Sequence, residues 1–168
     1  MNNVFFIQPN RLLNVRLIKL KIMYSGLLHA HNGLRWIVLI SLLIAIILAF
    51  SGWIKKQEWT KTNKSIGLIT MVVMDIQFLL GLILYVFVSP ITKSAFHDFG
   101  AAMKNADLRF YAVEHILMMV IALVLVHIGR SRTKKDIAPW KKYRSVSIFY
   151  TLSLIIILLA IPWDRALF

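Results

Sequence analysis

The side chains best suited to chemistry are His29, His31 and Arg35, in the stretch Leu28-His29-Ala30-His31-Asn32-Gly33-Leu34-Arg35, together with the pair Glu114-His115. Each stretch opens a long apolar run, and the two runs start from the same side of a bilayer. Ionisable side chains within a span cost roughly 2.5–3.5 kcal/mol each on insertion scales, so they are seldom kept there without a role. Two imidazoles at matched depth on neighbouring helices are what a six-coordinate haem iron in a helical bundle requires. His31 and Arg35 are four residues apart and share a helix face, whereas His29 points nearly the opposite way. One regular helix therefore offers either His31 or His29 as the iron ligand that pairs with His115, not both. With about 1.5 Å of rise per residue, His31, Arg35 and His115 fall at similar depth in the outer third of the membrane. There Arg35 or Arg109 would pair with haem propionates. Two other readings stay open: a polar cluster in which the histidines bond helix to helix and Arg35 neutralises Glu114, and a site for another metal or a quinone.

Asp75 is the second signal, flanked by the uncharged stretches Ile66 to Met74 and Ile76 to Ser89. A carboxyl near mid-membrane must be protonated, paired or hydrated. It reads as a proton-relay or ion-coordinating group, or as a neutral acid hydrogen-bonded across the bundle, and Arg35 is the only strong cation within a span that would approach it. His127 lies about three and a third turns beyond His115. With no second histidine at that depth, it reads as an interfacial residue near Arg130 and not as a ligand. Met71, Met74, Met118 and Met119 read as apolar packing. His97, Asp98 and Asp107 fall in the connection Ser89 to Leu108, which reads as a solvated loop.

The elements that must position these groups follow from composition. The chain has 168 residues, 59% of them hydrophobic, with a mean hydropathy of +0.72. A spanning helix takes about 20 mostly apolar residues, and the runs Trp36 to Trp53, Ile66 to Pro90, Phe110 to Gly129 and Val146 to Trp163 supply four. The expected fold is all-α: an integral membrane four-helix transmembrane bundle whose surface meets the lipid bilayer. Residues 1–22 form a basic N-terminal tail and residues 23–168 a single four-span membrane domain. The fourth run has no ionisable residue between Val146 and Trp163 and reads as a packing helix. The tryptophans stand near the ends of the runs, where they anchor to headgroups.

The net charge of +13 reads as topology and not as a nucleic-acid surface, because Lys and Arg cluster beside the apolar runs. Eleven basic residues lie in the connections 1–2 and 3–4, from Lys55 to Lys64 and from Arg130 to Arg144. The positive-inside rule makes both connections cytoplasmic. Arg11, Arg16, Lys19 and Lys21 in the tail vote the other way and are outnumbered. Val4 to Ile7 is too short for an export signal. The tail is either an interfacial amphipathic segment, with Leu13, Leu17 and Leu20 at helical spacing, or it precedes a translation start at Met23. The absence of cysteine excludes disulfides, thiolate ligation of haem and c-type haem attachment. No HExxH spacing or nucleophile–base pair is present, so the chain does not read as an independent enzyme.

The stretch Leu28 to Trp36, the segment Tyr111-Ala112-Val113-Glu114-His115, the run Ile128-Gly129-Arg130-Ser131 and the closing Ile161-Pro162-Trp163 together resemble a family of small four-span membrane proteins of Bacteroidetes labelled cytochrome b. The resemblance covers nearly everything from Met23 onward. It implies a bacterial inner membrane and a haem b. Three functions compete: a b-type electron carrier with at most one haem near the outer face, exchanging electrons with quinol or other membrane redox subunits; a haem-free accessory subunit of a larger membrane complex; and a proton- or ion-conducting bundle that uses Asp75.

Overall fold

The computed structural model describes residues 9–163, with side chains from Leu13 onward. Val4 to Ile7 and the side chain of Arg11 lie outside the described residues. The long elements are α1 (Pro9–Ile54), α2 (Lys61–Ile83), α6 (His115–Thr133) and α7 (Pro139–Ala160). Between α2 and α6 run three short helices, α3 (Pro90–His97), α4 (Phe99–Lys104) and α5 (Ala106–Arg109), bounded by two π-helical turns at Leu84–Val88 and Phe110–Glu114. Among the described residues there is no strand. The expected all-α bundle is the fold observed, and its four long helices are apolar and long enough to cross a membrane. Residues 9–22 continue without a break into the first span, so α1 is a single helix of 46 residues.

Helix starts follow local chemistry. Thr60 opens α2 with a capping box, its side chain accepting from the Asn63 amide while the Asn63 side chain accepts from the Thr60 amide, which satisfies two donors that a helix start leaves over. Ser89, Asp98 and Asn105 cap α3, α4 and α5 with side-chain oxygens that accept from the amides of Thr92, Ala101 and Leu108, and Pro90 and Pro139 stand in the first turns of α3 and α7, where a missing N–H costs nothing.

The long helices form a ring in the order α1, α2, α6, α7, with α7 closing back on α1. Leu42, Val126 and Tyr150 lie at its centre, fully buried. Fully buried hydroxyls bond backbone on adjacent helices, Ser153 Oγ donating to Ala122 O (3.0 Å) and Thr70 Oγ1 to Ser41 O (3.2 Å), as small polar side chains do between helices in lipid. The outer surface is apolar, with Ile40, Ile47, Leu79, Leu117 and Leu159 exposed, which suits a surface solvated by acyl chains. The chain is therefore built as a multi-pass membrane protein.

The two ends of the bundle differ. At the end carrying the basic connections, tyrosines of α7 seat in glycine notches. The Tyr143 ring occupies the space a Cβ on Gly52 would take, and its hydroxyl donates to Glu58 O at 2.8 Å. Tyr150 packs against Gly129 and donates to Gly67 O at 3.2 Å. At the opposite end the four long helices line a cavity, which Ser89, Ile91 and Thr92 of the connection 89–109 also border. The solvated loop expected there is instead folded: Ala95, Ala102 and Ala112 form a second small core with Met103, Leu108 and Val113 against it. Its local caps were readable one at a time, but the packing of those three alanines joins segments that sequence spacing does not relate.

Candidate functional site

At the end opposite the glycine notches the helices enclose a partly open cavity of about 230 Å³. All four long helices line it, through His31 and Arg35 of α1, Gln77 and Gly81 of α2, His115 of α6 and Ile157 of α7, and Thr92 of α3 roofs it. It exceeds the roughly 150 Å³ engineered cavity that takes up benzene, so it has room for more than a single ring. The lining is mainly apolar with few polar groups, which is the usual make-up of a cofactor or small-molecule site.

His31 and His115 thus meet at one cavity, while His29 is exposed and does not line it. The one-or-the-other choice on the first helix follows from helix periodicity: α1 is regular through this stretch, so only one of two residues spaced by two faces inward. The His115 ring is held from behind. Its Nδ1 lies 2.9 Å from Ala160 O, and since a carbonyl only accepts, Nδ1 carries the proton and Nε2 keeps its lone pair. Ala160 is the last residue of α7 and Ile161 is extended, so this carbonyl is one that a helix end leaves without an intrahelical donor. A ring N–H given to a backbone carbonyl is the arrangement that orients metal-binding histidines.

His31 is placed from two sides. Its backbone carbonyl accepts from Gln77 Nε2 at 2.9 Å, and a Cβ on Gly81 would stand 2.9 Å from its Cε1. Glycine at 81 thus lets α2 pass close to the imidazole. The Nδ1 atom of His31 is buried with no hydrogen-bond partner among the described residues, so a partner entering the cavity could satisfy it.

The charges pair differently from the sequence-based expectations. Glu114 is bonded by Arg109, Nε to Oε1 at 2.7 Å, and Arg109 also donates to Met103 O. Neither Arg109 nor Glu114 lines the cavity, so of the two arginines considered for propionates Arg35 is the one at the site, and Glu114 is paired with Arg109. The reason is the π turn at Phe110–Glu114: its wider winding brings residues five apart together, a spacing that α-helical periodicity does not anticipate. Asp75 pairs with His127 Nε2 at 2.7 Å. His127 is accordingly the partner of a carboxyl in the neighbouring span, a contact set by the rotation of α2 against α6. His97 is exposed and away from the cavity.

Sequence reasoning missed the two π turns. Each leaves a carbonyl out of the helical ladder, and each is braced by a side chain: Tyr85 Oη donates to Ala112 O at 2.7 Å and Thr92 Oγ1 to Tyr85 O at 2.7 Å. Tyr85 and Tyr111 both line the cavity, so the turns shape its mouth, in keeping with the frequent siting of π turns at functional sites. Pro90, which cannot donate back into the helix, was the available signal for the first. Tyr85→Phe would leave the Ala112 carbonyl without its donor, and the expected loss is about 1–3 kcal/mol. Thermal unfolding in detergent would measure it, and an unchanged midpoint would show that the brace contributes nothing.

Among the described residues no group of three or more His, Cys, Asp or Glu forms a metal cluster; an axial pair needs only two. The donor set at the cavity fits haem b: two imidazoles, one with its ring N–H already committed to a carbonyl, a guanidinium for carboxylates, and an apolar lining. Comparison of the chain with protein-family models, with curated proteins and with solved structures finds no match in any of the three.

Proposed function

We propose that this chain is a b-type cytochrome-like electron-transfer protein of a bacterial inner membrane, holding one haem b between His31 and His115 near the outer face and exchanging electrons with quinol or another membrane redox subunit. The observation that carries the reading is the meeting of two oriented imidazoles at one apolar cavity, His115 tied through Nδ1 to Ala160 O and His31 with a buried, unpartnered Nδ1. Bound haem supplies one-electron chemistry at its iron. The protein's part is positional. The carbonyl of Ala160 fixes the tautomer and angle of the His115 ring, Gln77 holds the backbone of His31, Arg35 puts positive charge beside the site for propionates, and the apolar walls exclude water. The basic connections 1–2 and 3–4 favour the cytoplasmic side, which sets the cavity toward the outer face.

Expression with ample haem, purification and a reduced-minus-oxidised spectrum test the reading directly. A Soret band with a sharp α band on reduction is expected, and a purified, folded protein with no Soret band would overturn it. Gly81→Ala gives a graded check. The added methyl group presses on the His31 ring, and the expected loss of haem affinity is about tenfold, or 1.4 kcal/mol, read by haem titration of the apo form. Unchanged affinity would mean that the His31 ring does not need the space at Gly81.

A further inference from the structure

The Asp75–His127 pair stands outside the cavity and is assigned no role there. It is also out of place for a lone bundle. The two side chains keep 36% and 46% of their surface exposed, yet they sit within α2 and α6, on the flank that faces acyl chains. Polar and ionisable groups inside a membrane almost always face protein or a water-filled cavity. The helices that carry them are also the least covered: 17% and 22% of the apolar windows of α2 and α6 are buried, against 39% and 44% for α1 and α7. On both sides of the pair the same flank continues as exposed apolar side chains, Val72 and Ile76 on α2 and Val124 and Ile128 on α6.

We propose that this flank is a homodimer interface, in which two copies of the chain pack α2 and α6 together about a two-fold axis along the membrane normal, with both Asp75–His127 pairs at the centre. The occupant is a second copy because the pair complements itself. Within one chain His127 Nε2 engages Asp75 Oδ1, which leaves one acceptor oxygen, Oδ2, and one ring nitrogen, Nδ1. A two-fold axis brings the Oδ2 of each copy to the Nδ1 of the other. The ring of two carboxyls and two imidazoles closes wherever the proton resides: as ion pairs, Nδ1–H donates to Oδ2; as neutral pairs, Oδ2–H donates to Nδ1. Either way the four groups carry no net charge. An axis along the membrane normal also matches depths, since equivalent residues of the two copies lie at the same level. An isologous contact of this kind needs no second gene product.

The absence of cysteine makes the test clean. Single substitutions Val72→Cys and Val124→Cys on the proposed face, and Ile155→Cys on the exposed side of α7, are reconstituted at low density in lipid vesicles and oxidised. Covalent dimers are expected from the first two and not from the third, because a disulfide needs Cα atoms within about 7 Å. Labelled wild-type protein in the same vesicles should bleach in two steps. The double variant Asp75→Leu/His127→Leu, which suits a lipid-facing surface and keeps the fold, should lower the dimer fraction at least tenfold at equal density, with helicity by circular dichroism unchanged. One-step bleaching of the wild type, crosslinking through α7 alone, or a double variant as dimeric as the wild type would each overturn the proposal.

Discussion

Replacing His115 or His31 by Ala should abolish the Soret band expected of the protein expressed with ample haem, whereas His29→Ala should leave that band unchanged. The asymmetry between residues spaced by two is the sharpest expectation the structure supports, because all three are histidines at the same end of the bundle. His31 and His115 line the cavity and His29 does not. On the proposed reading, removing His31 or His115 would take away one of the two side chains that would hold the haem, and for His115 it would also strand the Ala160 carbonyl that Nδ1 now engages. The conservative change His115→Asn separates ligation from mere hydrogen bonding between helices. Asn can donate to the carbonyl but does not ligate haem iron as imidazole does, so fold should be kept and haem lost. If His115→Asn bound haem as the wild type does, or if His29→Ala were the substitution that removed it, the assigned ligand pair would be wrong.

The second large effect lies at the opposite end. Gly52→Ala should destabilise the bundle by about 1–3 kcal/mol, the range found when a well-packed core is overfilled, because the new methyl group falls on the ring of Tyr143. That ring cannot retreat easily. It is fully buried, packs edge-on against Trp59 at 4.8 Å between centroids, and its hydroxyl is bonded to Glu58 O and Asn63 Oδ1. The paired variant Gly52→Ala/Tyr143→Phe distinguishes the causes. Losing the hydroxyl frees the ring to shift, so its combined cost should fall below the sum of the single costs, as expected for residues in contact. Additive costs, or a Gly52→Ala variant as stable as the wild type in thermal unfolding, would show that the notch is not tight.

How much of this was legible in the sequence depends on the distance over which the signal acts. Four spans follow from run length and hydropathy, since each apolar run of this size has few places to go except a bilayer. That only one of His29 and His31 faces inward follows from helical periodicity, but that it is His31 is seen only in the lining of the cavity; the similar depth of these residues and His115 follows from counting residues to the ends of their spans. The quiet, packing character expected of α7 is also what is found, with Ser147 and Ser153 buried among the helices. What could not be read is what depends on helix rotation or on departures from α geometry. The Arg109–Glu114 bond needs the π turn between them, and α-helical spacing assigns those residues to different faces. Asp75 and His127 each looked isolated along the chain, and only the placement of α2 beside α6 makes them a pair. The Ala160 carbonyl behind His115 is an intermediate case: Pro162 marks where α7 must stop, and hence where unsatisfied carbonyls collect, but not which donor reaches them.

The contrast between the two ends of the bundle has a consequence for how the protein keeps its shape. Tyrosines locked into glycine notches tie one end without help from any ligand, while the other end surrounds the cavity with His31 on α1 and His115 on α6, the latter fastened to the end of α7. A ligand gripping both imidazoles would therefore cross-link three of the four long helices around the cavity. By mass action its free energy of binding then becomes folding free energy for that half of the molecule, growing with the logarithm of ligand concentration. Local opening in the empty protein should run downhill from the notched end to the cavity, and a ligand filling the cavity should level that slope, so that ligand supply, and not sequence alone, would set how long the cavity half survives proteolysis.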